Sequence, residues 1–101
     1  MTGVTFTTAA RSDLRDIALR IAEYSFRRSI SYVDEIETRC RGIADFPRVG
    51  APRPQWGTDV RMIVHGKYLI VYRPREDEVQ ILRIVHGARD LDALFAEEPL
   101  G

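Results

Sequence analysis

The stretch Val60–Asp90, VRMIVHGKYLIVYRPREDEVQILRIVHGARD, limits the fold more than any other part of the chain. Apolar and β-branched residues crowd it, and turn-forming residues interrupt it at His65-Gly66 and across Pro74–Glu78. This pattern predicts three strands, Val60–His65, Lys67–Tyr72 and Val79–Val85, joined as an antiparallel meander. In the middle strand Tyr68, Ile70 and Tyr72 share one face, while Leu69, Val71 and then Arg73 share the other. Both faces are largely apolar, so the strand is central and something packs on each side of it. Arg61 and Arg83 sit inside otherwise apolar strands. An unpaired guanidinium is costly to bury, so each either pairs with a carboxylate such as Asp59 or Glu78, or faces a partner.

The first part of the chain has to cover this sheet. Val4-Thr5-Phe6-Thr7 alternates and reads as a short strand, and Thr8 is placed to cap the helix after it. From Ala9 to about Tyr24, Leu14, Ile17, Ala18 and Ile21 recur at helical spacing, with Asp16 and Arg20 forming an i,i+4 pair. A break over Ser25–Ser29 precedes a second helix, Ile30–Asp45. Its stripe is Val33, Ile36, Cys40 and Ile43, closed by Phe46 and stopped by Pro47. Two helices joined by a short turn form an antiparallel hairpin. Neither stripe is wide enough to make a core alone, so the hairpin lies on the sheet. Phe46–Gly57 reads as a loop, long for a small domain and therefore a candidate for a role of its own. After Asp90, which can cap, Leu91–Phe95 makes one or two helical turns. The expected architecture is a single α+β domain over residues 1–101, in the order β-α-α-β-β-β. An antiparallel sheet packs against a helical hairpin, and a short C-terminal helix follows.

The residues exclude several chemistries. His65 and His86 are isolated, and no cysteine–histidine spacing suits a metal, so no metal site and no cofactor is expected. Cys40 lies within a helical stripe and reads as core filler rather than nucleophile. No glycine loop precedes a helix to cradle phosphate, and no serine has a nucleophile-elbow context. No apolar run approaches the ~18 residues of a membrane span. There is no secretory signal pattern, and the lone cysteine suits a cytoplasmic setting.

Formal net charge is zero, but it is divided unevenly. Residues 1–75 hold 13 Lys/Arg against 8 Asp/Glu, and residues 76–101 hold 2 against 7, so the two parts carry +5 and −5. All but one of the 15 basic residues are arginine, the residue that pairs bidentately with carboxylate or phosphate. Such a surface suits an acidic protein partner or a nucleic-acid backbone.

Three pieces of the strand region, Val60-Arg61-Met62, Tyr68–Arg73 and Ile81–Asp90, resemble the C-terminal half of ParE-type toxins, within the wider RelE/ParE superfamily of toxin–antitoxin systems. The last piece is the most specific. The resemblance implies the same element order over nearly the whole chain. It also implies a toxin that arrests growth by inhibiting DNA gyrase, has no chemistry of its own, and is neutralised by a ParD-like antitoxin in a hetero-oligomer. Contact with DNA then runs only through the antitoxin. RelE-like relatives instead cut messenger RNA on the ribosome, and for that reading Arg61, Arg83 and His86 are the candidate catalytic residues, with Lys67 a further proton-transfer group. RelE-type chains usually end the last strand on a tyrosine. Here that place reads His86-Gly87-Ala88-Arg89-Asp90, which favours ParE. An inactive module that binds antitoxin without toxicity is a third class.

The expected antitoxin-binding residues are Arg61, Ile63, Arg73 and Arg83, met by an acidic tail that folds onto the hairpin and the sheet edge. The expected target-binding residues are Arg89, Asp90, Leu94 and Phe95, on a C-terminal segment taken to be weakly anchored. For His86 the plain alternative is a turn histidine bonded to backbone at the strand end. For Arg89 and Asp90 it is a local ion pair or the cap of the last helix.

Overall fold

A computed structural model describes residues 3–101. The elements are β1 (Gly3–Phe6), α1 (Thr8–Ala22), α2 (Phe26–Asp45), β2 (Ala51–Pro52), a 3-10 turn (Pro54–Trp56), β3 (Arg61–His65), β4 (Tyr68–Pro74), β5 (Glu78–His86) and α3 (Leu91–Glu97). They form one five-stranded sheet in the order β1-β5-β4-β3-β2. The meander β3-β4-β5 is antiparallel, as the sequence predicts. The sheet as a whole is mixed, because β1 runs parallel to β5. Parallel neighbours need a long crossover, and here it runs through α1, α2 and the strands β2, β3 and β4.

Both helices begin at local signals that differ from the expected ones. Thr7, not Thr8, caps α1: its backbone is extended and its hydroxyl accepts from the Ala10 amide at 3.0 Å. The same hydroxyl donates to the Leu82 carbonyl at 2.8 Å, tying the start of α1 to β5. Ser25 caps α2 through the Arg28 amide, so the helix starts at Phe26 rather than Ile30. Ser29 thereby falls inside the helix, buried, with its hydroxyl donating to the Phe26 carbonyl. Phe46 does not close the α2 stripe; it is 72% exposed. Asp16 and Arg20 are not within ion-pair distance among the described residues.

Two cores sandwich the sheet. On the hairpin side, Ile17, Ile36, Cys40 and Ile43 pack on Tyr68, Ile70, Tyr72, Val79, Ile81 and Ile84. On the other side, Trp56, Val60, Val71, Leu82 and Val85 pack under Leu91, Leu94 and Phe95 of α3. An irregularity at Val71/Tyr72 explains how β5 serves both. Val71 pairs with Arg83 and Tyr72 with Ile81, so Leu82 is skipped. The extra residue shifts the alternation and lets Ile81 and Ile84, three apart, face the same helices.

Candidate functional site

An exposed apolar surface with a concave shape lies where α2 ends beside β3. Pro47 stops the helix and turns the chain back along the sheet. Phe46 and Val49 are left 72% and 58% exposed. With Thr38, Arg39, Gly42, Ile43 and Ile63 they line a groove of about 340 Å³. Clustered exposed apolar side chains of this kind mark places where another molecule covers them. Next to the groove, β2 pairs only with Arg61 and Met62. The outer edge of β3 from Ile63 to His65 therefore has no strand beyond it, an open template for an added chain.

The wall of the groove is fixed from below. The Tyr72 hydroxyl, on a fully buried side chain, donates to the Pro47 carbonyl at 2.8 Å and accepts from the Gly50 amide at 2.8 Å. Burial raises the Tyr72 pKa, so the phenol keeps the proton it donates. Arg61 Nη1 donates to the carbonyls of Gly50 at 2.7 Å and Arg48 at 3.1 Å. A Cβ at position 50 would lie 2.6 Å from the Tyr72 hydroxyl and 2.7 Å from the Met62 carbonyl, so only glycine fits. The expected loop is thus an ordered strap rather than a free connection.

The strand arginines have found partners inside the chain. Arg83 forms a bidentate pair with Asp13 of α1, Nε to Oδ2 at 2.8 Å and Nη2 to Oδ1 at 3.1 Å, and reaches Glu98 at 3.2 Å. The bond to Asp13 raises its pKa above the ordinary value. Asp13 also accepts from the Ile84 amide at 2.8 Å, filling the edge of β5 where β1 has ended. Arg73 is buried and bonds only carbonyls: Thr58 at 2.7 Å, Leu100 at 3.0 Å and Gly101 at 2.7 Å. Burial lowers its pKa, with Arg75 adding to the effect. Contact of Arg73 and Arg83 with an acidic tail does not fit these positions, because both side chains are largely buried and most of their nitrogens already have partners inside the chain. Nor do Arg61 and Arg83 pair with Asp59 or Glu78. Ile63, and Arg61 in part, remain accessible beside the groove.

Arg61, Arg83 and His86 do not converge. Arg61 lies in the row of Tyr72 and Ile81, whereas His86 lies in the row of Tyr68 and His65. At about 3.3 Å per residue the two rows are roughly 13 Å apart along the strands. His86 turns to its own loop, its Nδ1 accepting from the Ala88 amide at 3.1 Å, the turn role foreseen as the plain alternative.

A model of the family described as ParE toxin of type II toxin-antitoxin system, parDE, matches residues 4–91. The chain belongs to the ParE toxin family. A chain of the chromosomal ParDE toxin–antitoxin system from P. aeruginosa shares its fold, with a TM-score of 0.73 and 24% identity over 85% of this chain and 96% of that one. A chain of the toxin–antitoxin complex RelBE2 from Mycobacterium tuberculosis is also similar, with a TM-score of 0.64 and 27% identity over 84% and 96%. No curated protein matches.

In this ParE family member the C-terminal segment is firmly held, which corrects the expectation of weak anchoring. Leu94 and Phe95 are only 6% and 5% exposed and belong to the second core, so neither faces a target. Trp56 Nε1 donates to Asp92 Oδ1 at 2.6 Å, and the Trp56 and Phe95 rings lie 5.1 Å apart. Arg89 and Asp90 are exposed, and Asp90 caps α3 through the Ala93 amide rather than pairing with Arg89. Cys40 is fully buried, with its thiol pushed up to about 12 by desolvation, which suits core filling and not nucleophilic attack. No helix among the described residues is long and apolar enough to cross a membrane. Phe46 and Val49 escaped the sequence reading. Their signal is the phenylalanine immediately before the helix-stopping proline, where a side chain has no further turn to pack against.

Proposed function

We propose that this ParE family toxin arrests growth by inhibiting DNA gyrase, and that a ParD-like antitoxin neutralises it by laying an apolar segment in the α2–β3 groove. The groove carries the antitoxin half of the reading. Phe46, Val49 and Ile63 supply apolar contact, Arg39 an ionic rim, and the Ile63–His65 edge unpaired backbone for an added strand. A segment that folds on contact gains most from such a surface, because backbone pairing and apolar burial offset its ordering cost. The gyrase half rests on family resemblance. It is supported by the separation of Arg61 from His86, so that the three candidate catalytic residues do not meet at one phosphodiester. Cellular action in the cytoplasm follows from such a target, and operator DNA is reached through the antitoxin.

The test is induction of the chain from a tightly repressed promoter, with and without the neighbouring gene, scoring growth, DNA-damage response and messenger-RNA integrity together. Filamentation with DNA breaks, relieved by the neighbour, is the expected result. Cleaved messenger RNA with intact DNA would replace gyrase by the ribosome as target. Binding of the neighbour's product without arrest would identify an inactive antitoxin-binding module.

A further inference from the structure

At the end of the sheet away from the Arg61 strap, a second concave site has no part in the reading above. The turn after β5 folds back against the middle of α1. Asp13, Asp16, Ile17 and Arg20 from α1, Tyr68 from β4, and Ile84, Val85, His86 and Arg89 from the end of β5 and its turn line a cavity of about 110 Å³. Two of the cations come from different elements, Arg20 from the helix and Arg89 from the turn. Both are exposed, and neither has a carboxylate within ion-pair distance among the described residues. The two acids differ. Asp13 is neutralised by Arg83 and also holds the Ile84 amide, whereas Asp16 is not paired. The local sum is one positive charge, before any contribution from His86.

The remaining polar side chains, His86 and Tyr68, can each donate one hydrogen bond. His86 uses Nδ1 as an acceptor for the Ala88 amide, so a neutral ring carries its proton on Nε2. Its ring meets Tyr68 edge-on, with centroids 5.4 Å apart, which fixes both at the cavity wall. Tyr68 brings a phenolic hydroxyl from a side chain that is otherwise buried. Arg20, Arg89, His86 and Tyr68 line one small cavity, and their combined donor groups suit a tetrahedral oxyanion, which presents acceptors in several directions at once. The volume suits one such group and not a whole nucleotide.

We propose that Arg20, Tyr68, His86 and Arg89 form a phosphate-binding site on the toxin itself, taking either a free phosphate or a phosphate of a nucleic-acid backbone. This goes beyond the proposed function, in which DNA contact runs through the antitoxin alone, and it does not depend on the identity of the target. Asp16 opposes the ligand and limits its affinity.

The experiment follows backbone and arginine side-chain NMR signals of the full chain during titration, at constant ionic strength. Inorganic phosphate is the probe in one arm, a short DNA duplex in the other, and chloride the control. Saturable shifts at Arg20, Tyr68, His86 and Arg89 in the phosphate arm support a free-phosphate site. The same shifts in the duplex arm alone support a backbone-phosphate site. Arg20→Gln and Arg89→Gln each weaken binding roughly tenfold, the loss of one charge-assisted contact. Asp16→Asn strengthens it roughly threefold by removing the opposing charge, an opposite change that general damage to the fold would not produce. All three positions are exposed, so the fold survives the substitutions. Absence of saturable shifts with both probes overturns the proposal. So do equal shifts with chloride, or binding that is unchanged in both arginine variants.

Discussion

Arg83 and Asp13 are joined by two parallel hydrogen bonds between the last strand and the first helix, with only 11% and 13% of their side chains exposed. The pair lies at the edge that β1 leaves uncovered, and Asp13 spends a further lone pair on the Ile84 amide. Removing Asp13 leaves Arg83 with only the exposed Glu98 and the Ile84 amide without its acceptor. Asp13→Ala should therefore cost about 3–5 kcal/mol, whereas replacing both residues with apolar ones of similar volume should cost much less. Urea denaturation of the two single variants and the double variant measures the coupling, and additive effects would refute it.

Tyr72 holds two backbone groups of the strap with a single hydroxyl. Tyr72→Phe keeps the ring in the core and leaves the Gly50 amide and Pro47 carbonyl without their partner. The expected loss is about 1–3 kcal/mol, with faster hydrogen exchange at Gly50. An unchanged exchange rate would mean that the strap is held by Arg61 alone.

Cutting the chain before Leu91 removes Leu91, Leu94 and Phe95 from the second core. At about 1.5–3 kcal/mol for each large buried apolar side chain, the sum is comparable with the whole stability of a small domain. The truncated chain should lose cooperative unfolding, so its toxicity would say nothing about target contact. Asp92→Asn is the gentler probe. It weakens the bond to Trp56 by about 1 kcal/mol and should change tryptophan emission while the domain stays folded.

Phe46 and Val49 contribute little to the fold because they are exposed. Phe46→Asp and Val49→Asp should alter stability by no more than about 0.5 kcal/mol. Each should weaken binding of the neighbouring gene's product by roughly tenfold or more, about 1.4 kcal/mol. Calorimetric titration that finds wild-type affinity in both would move the antitoxin off this groove.

Cys40 provides a pH-dependent signature. The unfolded thiol releases its proton near pH ~8.5, while the folded one holds it up to about 12. Between those values the unfolded state binds fewer protons, so stability falls as pH rises, by at most about 1.4 kcal/mol per unit. Cys40→Ala should flatten the slope above pH ~9 relative to the parent chain. Thiol labelling of the native protein should proceed only as fast as the helix–sheet interface opens.

The meander, the hairpin and the burial of both faces of Tyr68–Arg73 were legible because each rests on local periodicity. So were the capping role of Asp90 and the turn role of His86. What stayed hidden depends on long-range geometry. The skipped Leu82 breaks the alternation by which Arg83 would be assigned to a face. The partners of Arg73 and Arg83 come from Thr58, Leu100 and Asp13, distant positions that no spacing rule links. Leu94 and Phe95 looked available because nothing in the sequence places Trp56 opposite them. The groove was missed for the complementary reason: Phe46 fits a helical stripe, and only the turn at Pro47 swings it outward.

Both outer strands of the sheet are short, and the open stretch of edge, Ile63–His65 of β3, lies beside the groove. On one side β2 is two residues long and contains Pro52, which has no amide to offer, so less than half of a normal strand length is open beyond it. On the other, β1 is four residues long, and the Asp13 carboxylate takes up the Ile84 amide past its end. Outside the Ile63–His65 edge, the sheet thus presents few places from which cross-β stacking could start.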